Sequence, residues 1–73
     1  MKIYLIKRKD IVDRDEYVAH VVAANNYKEV VSLAKKESIE SVKVWDSAII
    51  TIVGKSSGIE KKPYIILSEY LAG

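Results

Sequence analysis

The chain has 73 residues, 12 basic and 10 acidic side chains, a formal net charge of +2 and no cysteine. A chain of this length buries only about 60% of the surface that it exposes when unfolded, so we predict one domain over residues 1–73. Without cysteine it has no disulfides, and one histidine cannot complete a zinc site, so we predict no metal and no cofactor. Self-association is the remaining source of added stability.

The charges and the apolar runs exclude two further classes. Acidic and basic residues alternate along the chain, which differs from the concentrated basic surface of a dedicated nucleic-acid binder. The longest apolar runs fall far short of the roughly 20 residues needed to cross a bilayer, and MKIYLIKRKD lacks the apolar core of a signal peptide. We therefore predict a cytoplasmic protein with no membrane partner.

The first half of the chain predicts a hairpin. Lys2 to Arg8 is rich in residues that favour a pleated surface, which predicts a first strand. Lys9 to Glu16 is polar and predicts a connection, and Tyr17 to Ala24 resumes the apolar pattern as a second strand. Because the connection is short, the two strands are expected to pair antiparallel.

A helix is predicted to follow. Asn26 and Glu29 have the spacing at which an N-cap side chain and a reciprocal acid satisfy the first free amides of a helix. Apolar residues then recur at helical spacing on one side, at Tyr27, Val30, Val31 and Ala34. This stripe is expected to face a sheet.

The second half predicts two more strands. Ser38 to Asp46 is interpreted as a connection with a short extended piece, and Ala48 to Val53 as a strand that Gly54 ends. Lys55 to Lys62 is a polar loop, and Pro63 to Ser68 begins the last strand. The predicted fold class is α+β, with element order ββαββ and a small antiparallel sheet carrying one helix on one face.

Both faces of this sheet are predicted to be apolar. Ile3 and Leu5 alternate with Tyr4 and Ile6 along the first strand. One helix covers one face, so another subunit, a ligand or the chain ends should cover the second. The alternative is a strongly twisted sheet that wraps around its own core. We expect a homo-oligomer.

Residues suited to catalysis or metal binding do not form a recognisable motif. The acidic segment from Asp10 to Glu16 lacks the turn glycine of a calcium loop and is better explained as a solvated connection with ordinary ion pairs. His20 has no Ser or Cys beside it and is expected to be a packed or edge residue. We predict that the protein is not an enzyme.

The aromatic residues carry the strongest indication of binding. Five tyrosines and Trp45 occur without phenylalanine, so every ring has a polar group. Strand parity places Tyr4, Tyr64 and Tyr70 on one face near Arg8, where rings and a guanidinium suit a base and a phosphate. The alternative is that the tyrosines fill a small core and leave their hydroxyls at its rim.

The chain resembles a group of short bacteriophage and prophage proteins. Their pattern is M-K-x-Y-x-(I/V)-x-R-x-D, followed by D-E-Y, two valines and an alanine, a tryptophan, and a C-terminal A-G. The chain departs from it at Arg14 and His20, where the group has a tyrosine and a bulky aromatic. The matching positions are Tyr4, Arg8, Asp10, Asp15, Glu16, Tyr17, Val21, Val22, Ala23, Trp45, Gly54, Ser68, Tyr70, Ala72 and Gly73.

The resemblance implies a phage-encoded accessory protein that acts in the host cytoplasm. By analogy it is similar to small oligomeric phage proteins that sequester nucleotide immune signals, an anti-defence function. An alternative is a protein-interaction module that inhibits a host protein through a sheet face or edge, and nucleic-acid binding is a third. The ligand-binding residues expected on this basis are Tyr4, Arg8, Asp10, Tyr17, Trp45, Tyr64, Ser68 and Tyr70.

Overall fold

A computed structural model describes residues 1–10, 16–38, 42–55 and 62–71. Over these ranges the chain forms a four-stranded antiparallel sheet and one α-helix, which confirms the predicted α+β class. A short 3₁₀ helix lies between the α-helix and the third strand. The elements are β1 (Lys2–Lys7), β2 (Glu16–Ala24), α1 (Tyr27–Glu37), the 3₁₀ helix (Val42–Ser47), β3 (Ile49–Lys55) and β4 (Tyr64–Leu71).

The spatial order of the strands is β3-β1-β2-β4, and all neighbours are antiparallel. The predicted β1–β2 hairpin is confirmed and occupies the centre of the sheet. β3 and β4 are consecutive in the chain but flank this hairpin on opposite edges. The order ββαββ along the chain does not specify this arrangement.

The start of α1 is the one that the sequence predicts. Asn26 is the N-cap, and its side-chain oxygen accepts a hydrogen bond from the backbone N–H of Glu29 at 2.9 Å. The Glu29 carboxylate in turn accepts from the backbone N–H of Asn25 at 2.8 Å, one residue before the cap. Val30 and Ala34 of the predicted stripe are fully buried. The helix is therefore fixed by a local cap and by one apolar face.

The core lies between α1, the 3₁₀ helix and one face of the sheet. Trp45 of the 3₁₀ helix is fully buried, and its indole N–H donates to the side-chain oxygen of Ser38. The segment before β3 is thus helical and not extended, which corrects the prediction. An indole buried beside a hydroxyl keeps its only donor satisfied. The buried apolar cluster comprises Tyr4, Ile6, Val22, Ala24, Val30, Ala34 and Trp45.

The largest differences from the predicted strand bounds lie at the C-terminal ends of β3 and β4. β3 continues to Lys55, so Gly54 lies within the strand opposite Ile3 and does not end it. The pairing register shifts between Ile3 and Tyr4, and an irregularity of this kind suits a residue without a side chain. β4 begins at Tyr64 and extends to Leu71, beyond the predicted boundary. The connection at 11–15 and the loop at 56–61 lie outside the described residues.

Candidate functional site

On the helix side of the sheet, one histidine and three aromatic residues form a cluster, here called the aromatic cluster. The His20 ring lies 5.0 Å from the Tyr17 ring and 5.0 Å from the Trp45 ring, centre to centre. Tyr70 meets Tyr17 edge-on, also at 5.0 Å. His20 is only 1% exposed, whereas Tyr70 is 48% exposed. The cluster therefore runs from the core to the surface.

His20 is held as a neutral, packed side chain. Its Nδ1 lies 2.7 Å from the hydroxyl oxygen of Ser68 on the neighbouring strand, and its Nε2 has no hydrogen-bond partner among the described residues. Burial lowers the pKa of His20, and the negative charge of Glu37 opposes that shift. The packed position agrees with the sequence interpretation. Ser68 comes from a distant strand, so local sequence could not reveal this pair.

Arg8 is satisfied by acids of its own chain. Its Nε donates to Asp10 at 2.9 Å, and Nη1 donates to Glu16 at 3.2 Å and to the Tyr17 carbonyl oxygen at 3.1 Å. The guanidinium carbon lies 6.0 Å from the centre of the Trp45 ring. The hydrogen bond to Asp10 raises the pKa of Arg8 against the effect of burial, and the same bond lowers the pKa of Asp10.

The structure brings most of the predicted binding residues together, but not all of them. Tyr17 and Trp45 flank His20, and Arg8 approaches the Trp45 ring. Ser68 and Tyr70 lie on the adjacent strand. Asp10 joins them through Arg8. The alternative role for the tyrosines, as core residues with hydroxyls at the rim, describes Tyr17 best, because its hydroxyl donates to Glu37 at 3.2 Å.

The predicted common face for Tyr4, Tyr64 and Tyr70 is wrong. Tyr4 is 2% exposed on the helix side and packs edge-on against Tyr27, with the ring centres 5.5 Å apart. Tyr64 pairs with Ala23, which places it on the opposite face, and Tyr70 pairs with Tyr17. Register shifts in the β2–β4 pairing separate the two residues. Such a shift reverses strand parity, so counting alternate residues along β4 fails.

The face of the sheet that does not contact α1 is here called the open face. Its strands align in three rows that cross β3, β1, β2 and β4 in that order. The rows are Ile49–Lys7–Ala19–Glu69, Thr51–Leu5–Val21–Leu67 and Gly54–Ile3–Ala23–Tyr64. No described helix lies on this face, although Ala19 is only 8% exposed and Ala23 is 0% exposed. Leu67 is 66% exposed and Ile49 is 56% exposed.

A shallow depression of about 480 Å³ runs along the open face. Leu5, Val21 and Leu67 line its apolar part, and Lys7 and Glu69 flank Ala19 at one end. Neither of these charged residues forms an ion pair with another described residue. The sequence predicts this uncovered apolar face, but it does not indicate that the two charges share a row.

No group of three or more acidic or histidine side chains that could hold a metal ion occurs among the residues at 1–10, 16–38, 42–55 and 62–71. Asp13 and Asp15 of the acidic segment lie outside these ranges. Neither helix of the described structure is long and apolar enough to cross a membrane.

Comparisons with protein-family models, with curated proteins and with solved structures give no match to this chain. The molecule is therefore characterised by its fold and its surface alone. It is a small α+β domain in which one face of an antiparallel sheet carries the helix and the other is mainly apolar, with Ile49 and Leu67 exposed on it.

Proposed function

We propose that this chain is a protein-binding module that docks through the open face of its sheet. The exposure of Leu67, at 66%, carries the proposal, because it stands in a row with the half-buried Leu5 and Val21. Contiguous apolar surface of this kind marks interaction sites in soluble proteins. The face forms one continuous surface across the strands, as docking requires.

The shape of the open face favours a protein over a small molecule. Small-molecule sites are concave and enclose most of their ligand, whereas this depression is open and spreads across three strands. A second sheet or a helix can lie flat on such a surface. Burying one fully exposed leucine side chain contributes about 1.5 to 3 kcal/mol, so Leu67 with its neighbours can supply much of a moderate affinity.

Nucleotide capture stays a prediction from the sequence. It would draw on Arg8 for a phosphate and on Trp45 for a base. Arg8 already donates to Asp10 and Glu16, and Trp45 is fully buried, so both would have to leave these contacts. Among the predicted residues, Tyr70 has the most exposed ring described. Docking through the open face requires no such rearrangement.

Site-specific photo-crosslinking tests the docking face directly. A photoreactive phenylalanine analogue replaces Leu67 on the open face, and in a matched protein it replaces Lys28, an exposed residue of α1. We expect irradiation in the protein's own host to yield one protein adduct from position 67 and none from position 28. Mass spectrometry identifies the adduct. Excess unlabelled wild-type chain should compete with it if the partner is a different protein, and should be incorporated into it if the partner is a second copy of this chain.

The control for folding is the circular dichroism spectrum, which should be the same for both labelled proteins. Equal crosslinking from positions 67 and 28, or none from either, would contradict a docking role for the open face. An adduct to a different protein that excess wild-type chain does not suppress would be non-specific and would count against the proposal as well.

A further inference from the structure

We infer that the partner on the open face is a second copy of this chain, stacked face to face about a two-fold axis that runs along β2. This inference rests on the proposed docking role of the open face. The observation that carries it is the placement of Lys7 and Glu69, two opposite charges that share one row of a mainly apolar surface and form no ion pair with another described residue.

The positions of the two charges allow each of them to face the opposite charge on a second copy of the chain. Lys7 on β1 and Glu69 on β4 flank Ala19 on β2, one strand away on either side, so they are separated by about 10 Å. Rotation about an axis parallel to β2 exchanges the positions of β1 and β4 and keeps each row at its own height. Lys7 then faces Glu69 of the partner subunit, and the reciprocal pair forms at the same time.

The same rotation matches the apolar rows. It sets Leu5 against Leu67 of the partner subunit and Ile3 against Tyr64 of the partner subunit. The residues of β2 nearest the axis are Ala19, Val21 and Ala23, which are small enough for two sheets to pack at the usual spacing of about 10 Å.

Other two-fold arrangements leave the charges unpaired. An axis perpendicular to the strands exchanges the outer rows and buries Lys7 against Ile3 of the partner subunit. An axis between β1 and β2 sets Lys7 on Ala19 of the partner subunit and Glu69 on Ile49 of the partner subunit. A buried charge without a partner is strongly unfavourable, so the axis along β2 is selected.

The area of the interface limits the affinity that is expected for the dimer. Three rows on three strands form an interface at or below the small end of the range for stable protein pairs. We therefore expect a reversible dimer with a dissociation constant on the order of 10 μM.

Charge exchange tests this geometry without disturbing the core, because Lys7 and Glu69 are both exposed. In sedimentation velocity from about 1 to about 300 μM, the wild-type chain of 8.2 kDa should shift from monomer to dimer. Lys7→Glu or Glu69→Lys alone should weaken association by about tenfold or more, since each sets like charges against each other twice. An equimolar mixture of the two variants should dimerise again, because both contacts become attractive.

Lys28→Glu on α1 is the matched control. It has the same change in net charge as Lys7→Glu and should dimerise like the wild type. Mixing it with Glu69→Lys should not increase dimerisation above the level that Lys28→Glu shows alone. A wild-type chain that stays monomeric over the whole range, or single variants that dimerise normally, would overturn the second copy as partner. A position-67 adduct to a different protein would then leave the docking face itself intact.

Discussion

At the scale of the residue, the burial of His20 makes the stability of the fold depend on pH. Its imidazole lies between the rings of Tyr17 and Trp45, and Arg8 approaches the same indole. Burial lowers the pKa of His20 below its ordinary value of 6.5, although Glu37 attracts the protonated form. Protonation would place a positive charge on a side chain that is only 1% exposed. The folded chain therefore binds a proton at His20 less readily than the unfolded chain does.

The free energy of unfolding is expected to fall as the pH drops below about 6.5, because His20 is then protonated to a greater extent in the unfolded state than in the folded state. The slope cannot exceed about 1.4 kcal/mol per pH unit and should level off once the folded form is protonated too. Asp10 has a lowered pKa, so its contribution is lost only at lower pH, below its ordinary value of 3.8. Urea unfolding between pH 7.5 and 5 measures the effect of His20 separately.

The variant His20→Gln removes the titrating group while it keeps a polar side chain opposite Ser68. Its stability should change much less over the same pH range, even if it is lower throughout. A wild-type stability that stays constant from pH 7.5 to 5 would show that His20 is not held neutral by burial.

At the scale of the element, two neighbouring asparagines have different roles in the N-terminal cap of α1. Asn26 uses its side chain to accept the Glu29 amide, whereas Asn25 contributes only its backbone N–H. Asn26→Ala should lower the free energy of unfolding by about 1 kcal/mol, and Asn25→Ala should leave it nearly unchanged. Equilibrium urea unfolding of the two variants compares them directly. Equal losses would mean that the side chain of Asn26 does not cap the helix.

This cap also shows which parts of the fold local sequence determines. The hairpin and the helix start depend on residues close together in the chain, so their patterns were sufficient. The 3₁₀ helix depends on burial of Trp45 against distant residues, and β3 passes through Gly54 because β1 pairs with it. Contacts between remote segments are not visible in a single local pattern.

The candidate sites likewise include features that local sequence predicts and features that depend on contacts between remote segments. Alternation along β1 predicted an uncovered apolar face, because strand parity is a local property. Parity failed for Tyr64 and Tyr70, since the intervening register shifts depend on the neighbouring strand. Arg8 was predicted as a ligand residue, and its contacts with Asp10 and Glu16 depend on how the hairpin closes. The alignment of Lys7 and Glu69 required the spatial order of the strands.

At the scale of the whole molecule, folding and association should be linked. A 73-residue domain without disulfides buries a small core, and on the open face Ile49 and Leu67 stay exposed in the described structure. Stacking a second copy would bury the apolar rows of both chains. Any partner that binds only the folded form stabilises it by mass action, so the concentration of the chain itself becomes a determinant of stability.

The thermal midpoint Tm of the wild-type chain should therefore rise with protein concentration. Each tenfold increase above the dissociation constant adds about half of 1.4 kcal/mol per chain, which for a domain of this size is a rise of roughly 3 to 6 °C. The Lys7→Glu variant, whose association is weaker by about tenfold or more, should show a smaller rise of Tm over the same range and a Tm that approaches the wild-type value at high dilution. Differential scanning calorimetry over two decades of concentration measures both. A concentration-dependent Tm in Lys7→Glu, as steep as in the wild type, would place the association on another surface, since a substitution on the open face would then leave the linkage unchanged.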